Sequence, residues 1–118
     1  GHMQIWRMAP DGSKPEQLTF DKYSNWFPHI SPDNKWMVYI SYIEDQKQQH
    51  LFGKKVKLRL MNLETKEITD LTSVFYGGQG TINVPSWSPD SKRVAFVSSS
   101  LLSRFNLIII YLSHNLTF

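Results

Sequence analysis

Short apolar runs separated by turn residues are the main pattern along this chain. Trp36 to Ile40 and Val94 to Val97 are rich in β-branched and aromatic residues and are nearly continuous in apolarity rather than alternating. No stretch keeps a 3.6-residue period long enough for a helix. Because a strand that is apolar on both sides must be covered on both sides, the pattern predicts short strands in sheets packed between neighbours.

Two copies of one unit follow each other along the chain. Residues 5–19 lie without gaps on residues 58–72 at an offset of 53, which places Met8 on Met61. Farther on, Pro-His-Ile-Ser-Pro-Asp at 28–33 matches Pro-Ser-Trp-Ser-Pro-Asp at 85–90 at an offset of 57. The difference of four is explained by one loop insertion within residues 73–84. The internal repeat therefore sets the architecture.

Turn residues at matching positions of the two copies predict tight hairpins. Ser31-Pro32-Asp33-Asn34 and Ser88-Pro89-Asp90-Ser91 are typical of type I turns, in which proline presets φ and asparagine tolerates a left-handed conformation. Because Asp33 and Asp90 recur at a hairpin, we interpret them as turn residues rather than as acid/base groups. Residues 10–13 and 64–67 are expected to turn between the other strands.

The predicted strands are residues 5–9 and 16–19, then 27–30, 35–41, 57–63 and 67–71, then 84–87 and 92–98. The predicted core consists of side chains at matching positions of the two copies: Trp87, Phe96, Met61 and Leu71 with Ile30, Tyr39, Met8 and Leu18.

Four short antiparallel strands repeated at this period are typical of β-propeller blades. Residues 87–98, Trp-Ser-Pro-Asp-Ser-Lys-Arg-Val-Ala-Phe-Val-Ser, and the preceding unit ending Leu-Thr resemble the repeat of TolB-like propellers, periplasmic proteins with WD-like blades. The resemblance covers residues 4–98, although Asn34 and Ser91 stand where that family usually has glycine and residues 44–55 lengthen the unit. The expected fold is all-β, an incomplete ring with a half blade at each end.

The two ends of the chain differ from the repeat. Residues 1–3, Gly-His-Met, are typical of the remnant of a cleaved tag, so we expect the natural chain to begin near Gln4. In the atypical apolar tail, residues 99–118, Arg104 is the only formally charged side chain. Residues 107–112 either form a buried strand of the last blade or belong to sequence translated past a frame disruption, and we favour the strand.

Two and a fraction blades cannot close a ring, since propellers have about four to eight. Unpaired blade edges invite association. We therefore expect a homo-oligomer in which strands of different subunits complete each other's half blades, or a piece of a larger propeller.

Composition excludes several classes of protein. The 118 residues are 41% apolar and 19% charged, the balance of one soluble globular domain, and the absence of cysteine excludes disulfides and thiolate zinc sites. The longest apolar run, six residues at 107–112, falls short of the roughly 20 that a membrane span needs, so no transmembrane segment is predicted. The net charge of +3 is spread out except at Lys54, Lys55, Lys57 and Arg59, which we interpret as a solvated loop rather than a nucleic-acid site.

Candidate binding residues lie on the rim that the long loops share. Antiparallel connectivity places residues 20–26, 42–56 and 73–84 at one end of the blades, where loops are free to vary. The aromatic and amide side chains there suit a peptide or a sugar, and they are Tyr23, Asn25, Trp26, His50, Phe52, Tyr76 and Gln79. Residues 77–80, Gly-Gly-Gln-Gly, lack the lysine and the helix of a phosphate loop and are expected to connect blades.

His29 is added to the candidate residues because it would end an innermost strand near the central channel. His50 and His114 have no ligand-like spacing to it, so neither a metal nor a cofactor is predicted.

Nothing in the sequence supports nucleophilic catalysis, since no Gly-x-Ser-x-Gly elbow occurs and no base is identifiable. The TolB-like resemblance implies a noncatalytic binding module, periplasmic or secreted in a bacterial envelope, with a protein partner. The alternatives are a propeller fragment of an enzyme, either a prolyl-oligopeptidase-like peptidase or an acidic-sugar lyase, and a truncated product without a function of its own.

Overall fold

The computed structural model describes residues 2–44, 53–78, 80–82, 86–99 and 105–112. All regular elements within these ranges are strands: β1 (Trp6–Arg7), β2 (Glu16–Gln17), β3 (Ser24–Ile30), β4 (Trp36–Tyr42), β5 (Lys54–Asn62), β6 (Ile68–Asp70), β7 (Phe75–Gly77), β8 (Arg93–Ser99) and β9 (Phe105–Tyr111). The all-β class is confirmed. Within the described ranges, no helix is long and apolar enough to span a membrane.

The strands form a first hairpin and a larger antiparallel sheet. β1 and β2 pair with each other, and the other strands follow the order β3-β4-β5-β7-β8-β9, with β6 also paired to β5. We call β1–β2 the first hairpin, β3–β6 the complete blade, and β8–β9 with the bridge between Trp87 and Val94 the last blade. The complete blade has the four antiparallel strands expected of a propeller blade.

Hydrogen bonds recur at the offset of 53 found in the sequence. The Leu18 N–H donates to the Ile5 carbonyl at 2.8 Å, and the Leu71 N–H donates to the Leu58 carbonyl at 2.8 Å. The hydroxyls of Thr19 and Thr72 accept from Ile5 and Leu58, at 2.8 and 3.1 Å. The first hairpin is therefore the counterpart of β5 and β6 in the complete blade.

The two Ser-Pro-Asp hairpins repeat each other at the offset of 57. Each serine hydroxyl donates to the aspartate two residues on, at 2.6 Å for Ser31 and 2.5 Å for Ser88. Each aspartate accepts from a backbone N–H, that of Lys35 at 3.1 Å or of Lys92 at 3.0 Å. Asn34 and Ser91 hold φ at 62° and 61°, in the left-handed region that favours glycine. Both aspartates therefore hydrogen-bond within their hairpins, as their recurrence at the two turns predicts.

The tail contributes the third strand of the last blade. β9 pairs with β8 along its whole length, and the Leu112 N–H donates to the Lys92 carbonyl as the Leu63 N–H does to Lys35. β9 thus takes the place that β5 has in the complete blade. The expectation that this strand is buried is wrong, since Leu107 is 70% and Ile109 is 51% exposed. Their side of the strand has no neighbouring blade among the described residues.

β7 lies where the sequence predicts only a loop. It pairs with the start of β5 through Lys54↔Gly77 and meets β8 through Tyr76↔Ser99. The connection between the blades is therefore itself hydrogen-bonded into the sheet. The alternation of apolar and polar residues cannot reveal a strand of three residues. Such a short strand forms only because partners distant in sequence hydrogen-bond to it.

Two apolar clusters lie on the two faces of the complete blade. The cluster toward the first hairpin contains Ile5, Leu18, Met37, Tyr39, Met61 and Leu63. The cluster toward the last blade contains Val38, Ile40, Tyr42, Val56, Leu58, Leu60, Ile82, Val94, Phe96 and Leu112. Successive side chains of β4 enter opposite clusters, as the two-sided apolarity of this strand requires.

Most of the predicted core is confirmed. Leu18, Tyr39, Met61 and Phe96 are buried, and Trp87 and Leu71 are partly buried against the cluster toward the last blade. Two members are wrong: Met8 is 60% exposed, and Ile30 is also exposed. Met8 matches Met61, whose position is covered by a preceding blade unit, and no such unit lies against β1 in the described chain. Ile30 is the last residue of β3, next to the Ser-Pro-Asp hairpin, and 46% of its side chain is exposed.

Candidate functional site

The loop rim is where the sequence analysis places it. β2, β4 and β6 run toward this end and β3 and β5 start from it, while the Ser-Pro-Asp hairpins lie at the other end. β7 adds its backbone to the same rim beside the first residues of β5.

Asn25 anchors the loop between β2 and β3. It is buried, its Nδ2 donates to Gln4 Oε1 at 3.1 Å and to Asp21 Oδ1 at 3.0 Å, and its Oδ1 accepts from Ser41 Oγ at 2.6 Å. With donors and acceptor engaged inside the chain, Asn25 positions the rim loop rather than facing a ligand.

Three cations surround the Tyr23 ring. The Lys57 Nζ lies 4.6 Å from the ring centroid, the Arg59 guanidinium carbon 5.2 Å and the Lys22 Nζ 5.5 Å. Lys57 also donates to the Tyr23 hydroxyl at 3.3 Å. These distances are within the range of cation–π attraction. Together with Asp21 and Asp70 these residues form what we call the Tyr23 cluster.

Two carboxylates neutralise Lys57 and Arg59, the two cations of β5 in this cluster. The Lys57 Nζ donates to Asp70 Oδ2 at 2.9 Å, and Arg59 bonds Asp21 and lies 3.3 Å from Asp70 Oδ1 through its Nε. Burial alone would lower the pKa of Lys57, but its hydrogen bonds to Asp70 and Tyr23 outweigh burial and raise that pKa. Lys57 therefore stays charged, and the cluster ties the rim loop after the first hairpin to the complete blade.

Arg59 keeps its charge for the same reason. Burial would lower its pKa, but its hydrogen bond to Asp21 and the negative charges of Asp21 and Asp70 outweigh burial and raise it. Tyr39 is fully buried nearby, and its hydroxyl has no hydrogen-bond partner within the described ranges. Burial raises the pKa of Tyr39, so its hydroxyl remains protonated.

A cleft of about 540 Å³ opens beside the Tyr23 cluster, between β2 and β6. The residues lining it are Glu16, Gln17, Leu18, Phe20, Asp21, Arg59, Lys66 and Ile68. Phe20 is 75% exposed, the largest fraction among the exposed large apolar side chains described. A largely exposed phenyl ring at the mouth of a cleft is the kind of surface that binds another molecule.

The structure brings only part of the predicted site together. Tyr23 and Asn25 lie at the rim loop beside the cleft, and Tyr76 lies across the rim in β7. Trp26 is half-buried and packs on the core and on Phe27, with ring centroids 6.0 Å apart. His50, Phe52 and Gln79 lie outside the described residues.

His29 joins two blades. Its Nε2 contacts the Ile82 carbonyl, and its own carbonyl accepts from Trp87 Nε1 at 2.8 Å. Both ends of this residue are thus engaged by the segment that leads into the last blade. Within the part of the chain that the structure describes, no group of three or more His, Asp or Glu side chains is placed to hold a metal ion.

Sequence reasoning missed the charged part of the site. The structure corrects the interpretation of the basic cluster as a solvated loop: Lys57 and Arg59 lie within β5, and Lys57 is buried. A signal was present, because these two cations alternate with apolar Val56, Leu58 and Leu60, which is the pattern of a strand with two different faces. Phe20 carries no such signal, since nothing local distinguishes it from a buried loop residue.

Comparisons with known proteins show which proteins this chain resembles. No family model matches the chain. The sequence is 42% identical over 97 residues to an uncharacterized protein of Agrobacterium fabrum, a match covering 82% of this chain and 32% of that protein. The fold is similar to a candidate TolB from Agrobacterium tumefaciens, with a TM-score of 0.71 and 34% identity over 96% of this chain and 36% of that one.

The fold is also similar to TolB from Acinetobacter baumannii, with a TM-score of 0.69 and 24% identity over 93% of this chain and 24% of that one. The chain therefore spans about a third or less of the length of these relatives. These structural matches show that the chain is a TolB-like β-propeller segment.

Proposed function

We propose that the chain is a noncatalytic binding module whose rim cleft takes an extended segment of a protein partner. The observation that carries the proposal is the exposed Phe20 ring at the cleft between β2 and β6. Large aromatic rings in accessible clefts are the usual anchors of protein interfaces. The TolB-like resemblance supports a protein partner and a periplasmic or secreted setting.

Most of the charges around the cleft are paired with opposite charges, and the Lys66 Nζ instead donates to the Leu63 carbonyl at 2.5 Å. Charge attraction is therefore not the main source of the affinity that we propose for the segment. Arg59 is paired with Asp21 and Asp70, and Glu16 accepts from Arg7 at 2.6 Å. Breaking such pairs to bind a ligand charge would lose about as much as it gains. The affinity would therefore come from apolar contact with Phe20 and Ile68, and we expect the partner segment to carry an apolar side chain.

The backbone around the cleft favours an extended partner. Among the described residues, β2 pairs only with β1 and β6 pairs only with β5, so each leaves one edge without a strand. A peptide lying between two strand edges can hydrogen-bond to either one while its side chains enter the cleft.

Random peptides displayed on phage and selected on the immobilised chain test this proposal. The peptide recovered would be titrated calorimetrically against the wild type, Phe20→Ala and Val74→Ala. Val74 is the matched control, because it is 50% exposed and does not line the cleft. We expect Phe20→Ala to weaken binding at least about tenfold and Val74→Ala to leave it unchanged. Failure to enrich any peptide, or equal weakening by the two variants, would refute the cleft as the binding site.

A further inference from the structure

The outer side of the last blade is an exposed apolar face. Val94 and Phe96 of β8 enter the core toward the complete blade, so Ala95 and Val97 point to the other side. Ala95 stands opposite Ile109 and Val97 opposite Leu107 in the β8–β9 ladder. We call the side formed by Ala95, Val97, Leu107 and Ile109 the docking face.

The complete blade shows what covers such a face. There the corresponding ladder pairs are Val38 with Leu60 and Ile40 with Leu58, in the same register from the Ser-Pro-Asp hairpin. Their side chains are fully buried in the cluster that Val94 and Phe96 of the next blade complete. The docking face therefore has the position and the chemistry of a surface covered by another blade of the same repeat.

The opposite end of the chain carries the complementary surface. Ile5, the residue before β1, is buried against the complete blade. Trp6 and Met8 point to the opposite side and are 56% and 60% exposed. Their counterparts at the offset of 53 are Arg59 and Met61 of β5, and Met61 packs toward the preceding unit. β1 and β9 both correspond to β5, so they occupy the same strand position within their blades.

From these placements we infer that the docking face binds the Trp6 and Met8 side of the first hairpin of a second copy of this chain. The contact is head-to-tail and joins two different surfaces, as the internal blade contacts do. It replaces the expected completion of half blades by strand pairing, because β9 already occupies the edge of β8 that a foreign strand would need. The inference does not depend on the cleft.

Sedimentation velocity across the micromolar range tests this contact. The wild type should self-associate with increasing concentration, and Ile109→Glu and Met8→Glu should each weaken association by about 30-fold or more. Both positions are largely exposed, so circular dichroism should show an unchanged fold. Val74→Glu places the same charge at an exposed site outside both surfaces and should associate like the wild type.

A mixture of the two charged variants distinguishes this contact from others. Ile109→Glu keeps its Met8 surface and Met8→Glu keeps its docking face, so an equimolar mixture should form a dimer and nothing larger. A wild type that stays monomeric throughout would overturn the inference. It would also be overturned if Met8→Glu alone associated like the wild type, because the docking face would then be pairing with itself.

Discussion

Replacement of Tyr39 by phenylalanine is expected to stabilise this protein, although most changes in a core destabilise. The Tyr39 side chain is fully buried between the first hairpin and the complete blade, and its hydroxyl has no hydrogen-bond partner among the described residues. An unpaired buried hydroxyl costs roughly 1–3 kcal/mol of desolvation. Phenylalanine removes that cost and keeps the ring that packs beside Met61.

We expect Tyr39→Phe to raise the free energy of unfolding by about 1 kcal/mol, the lower end of that range, because the void left by the oxygen loses some contacts. In a domain of roughly 100 residues this corresponds to a rise of about 4 °C in Tm. Urea titrations followed by tryptophan fluorescence at neutral pH measure the difference.

Tyr42→Phe is the matched control for this substitution. Tyr42 is also fully buried in β4, but it faces the last blade and it has an interaction partner. The same change there should leave stability unchanged or lower it. A loss of about 1 kcal/mol or more in Tyr39→Phe would show that the Tyr39 hydroxyl is satisfied in solution, and would refute the reasoning.

The pH dependence gives a second test of the same side chain. Burial raises the pKa of Tyr39, so the unfolded chain releases this proton at a lower pH than the folded chain does. Stability is therefore full below the unfolded pKa of about 10 and falls as the pH rises above it. Tyr39→Phe has no such ionisation, so its advantage over the wild type should widen above that pH.

Three further substitutions test the core, the hairpins and the Tyr23 cluster. Trp87→Ala should lower the free energy of unfolding by about 3 kcal/mol, because the indole is partly buried and donates to the His29 carbonyl. Lys54 is exposed, so Lys54→Ala should change the free energy of unfolding by no more than about 0.5 kcal/mol. Equal melting temperatures of the two variants would contradict the assignment of faces. The Ser88 hydroxyl lowers the pKa of Asp90, so that carboxylate stabilises the fold above its unfolded pKa of 3.8 and the contribution disappears as the pH falls below it. Asp90→Ala should therefore flatten the acid limb of the stability profile, and an unchanged limb would show that the hairpin bonds do not stabilise the fold. Asp21→Ala should lower the free energy of unfolding by about 2 kcal/mol, less than the roughly 3–5 kcal/mol typical of fully buried pairs, because water reaches Asp21. If calorimetry showed no loss of stability, Asp70 alone would be sufficient to pair with Arg59.

The features that could be predicted from the sequence are those determined locally or by repetition. The Ser-Pro-Asp hairpins follow from hydrogen bonds within six residues, such as that from Trp36 N–H to Ser31 Oγ at 3.0 Å. The two-sided apolarity of β4 predicts correctly that it lies between two covered faces. Periodicity and turn chemistry therefore suffice for the blade, because each of its strands is specified by neighbours close in the chain.

The features that could not be predicted depend on contacts between distant segments. β7 exists only because its backbone meets β5. Arg59 is paired with Asp21, which lies 38 residues earlier, and Lys57 is paired with Asp70, which lies 13 residues later. Met8 and Leu107 are exposed because the blade that would cover each of them is absent from the described chain. Their sequence positions predict burial, and only the arrangement of whole blades decides whether a cover is present.

The differences between the copies, rather than their agreement, identify the candidate site. Stacking requires apolar side chains at the same positions of every blade, so positions such as Leu18 and Leu71 match because both must pack on a neighbour. At the same offset of 53, Phe20 falls on Ser73 and Asp21 on Val74, so the residues at the cleft are not copies of anything that stacking requires.

Packing alone does not explain an exposed Phe20, because an aromatic ring in water contributes little to folding and increases the tendency to associate. Arg59 shows the same departure: its counterpart in the first hairpin is Trp6, and its counterpart in the last blade is Ile108. Both residues border the cleft between β2 and β6, where neither the hairpins nor the apolar clusters need them. A structural role alone would explain the Arg59–Asp21 charge pair. In the described chain, however, such a pair and an exposed aromatic ring occur together only at this cleft. Their occurrence together favours binding as the reason for both.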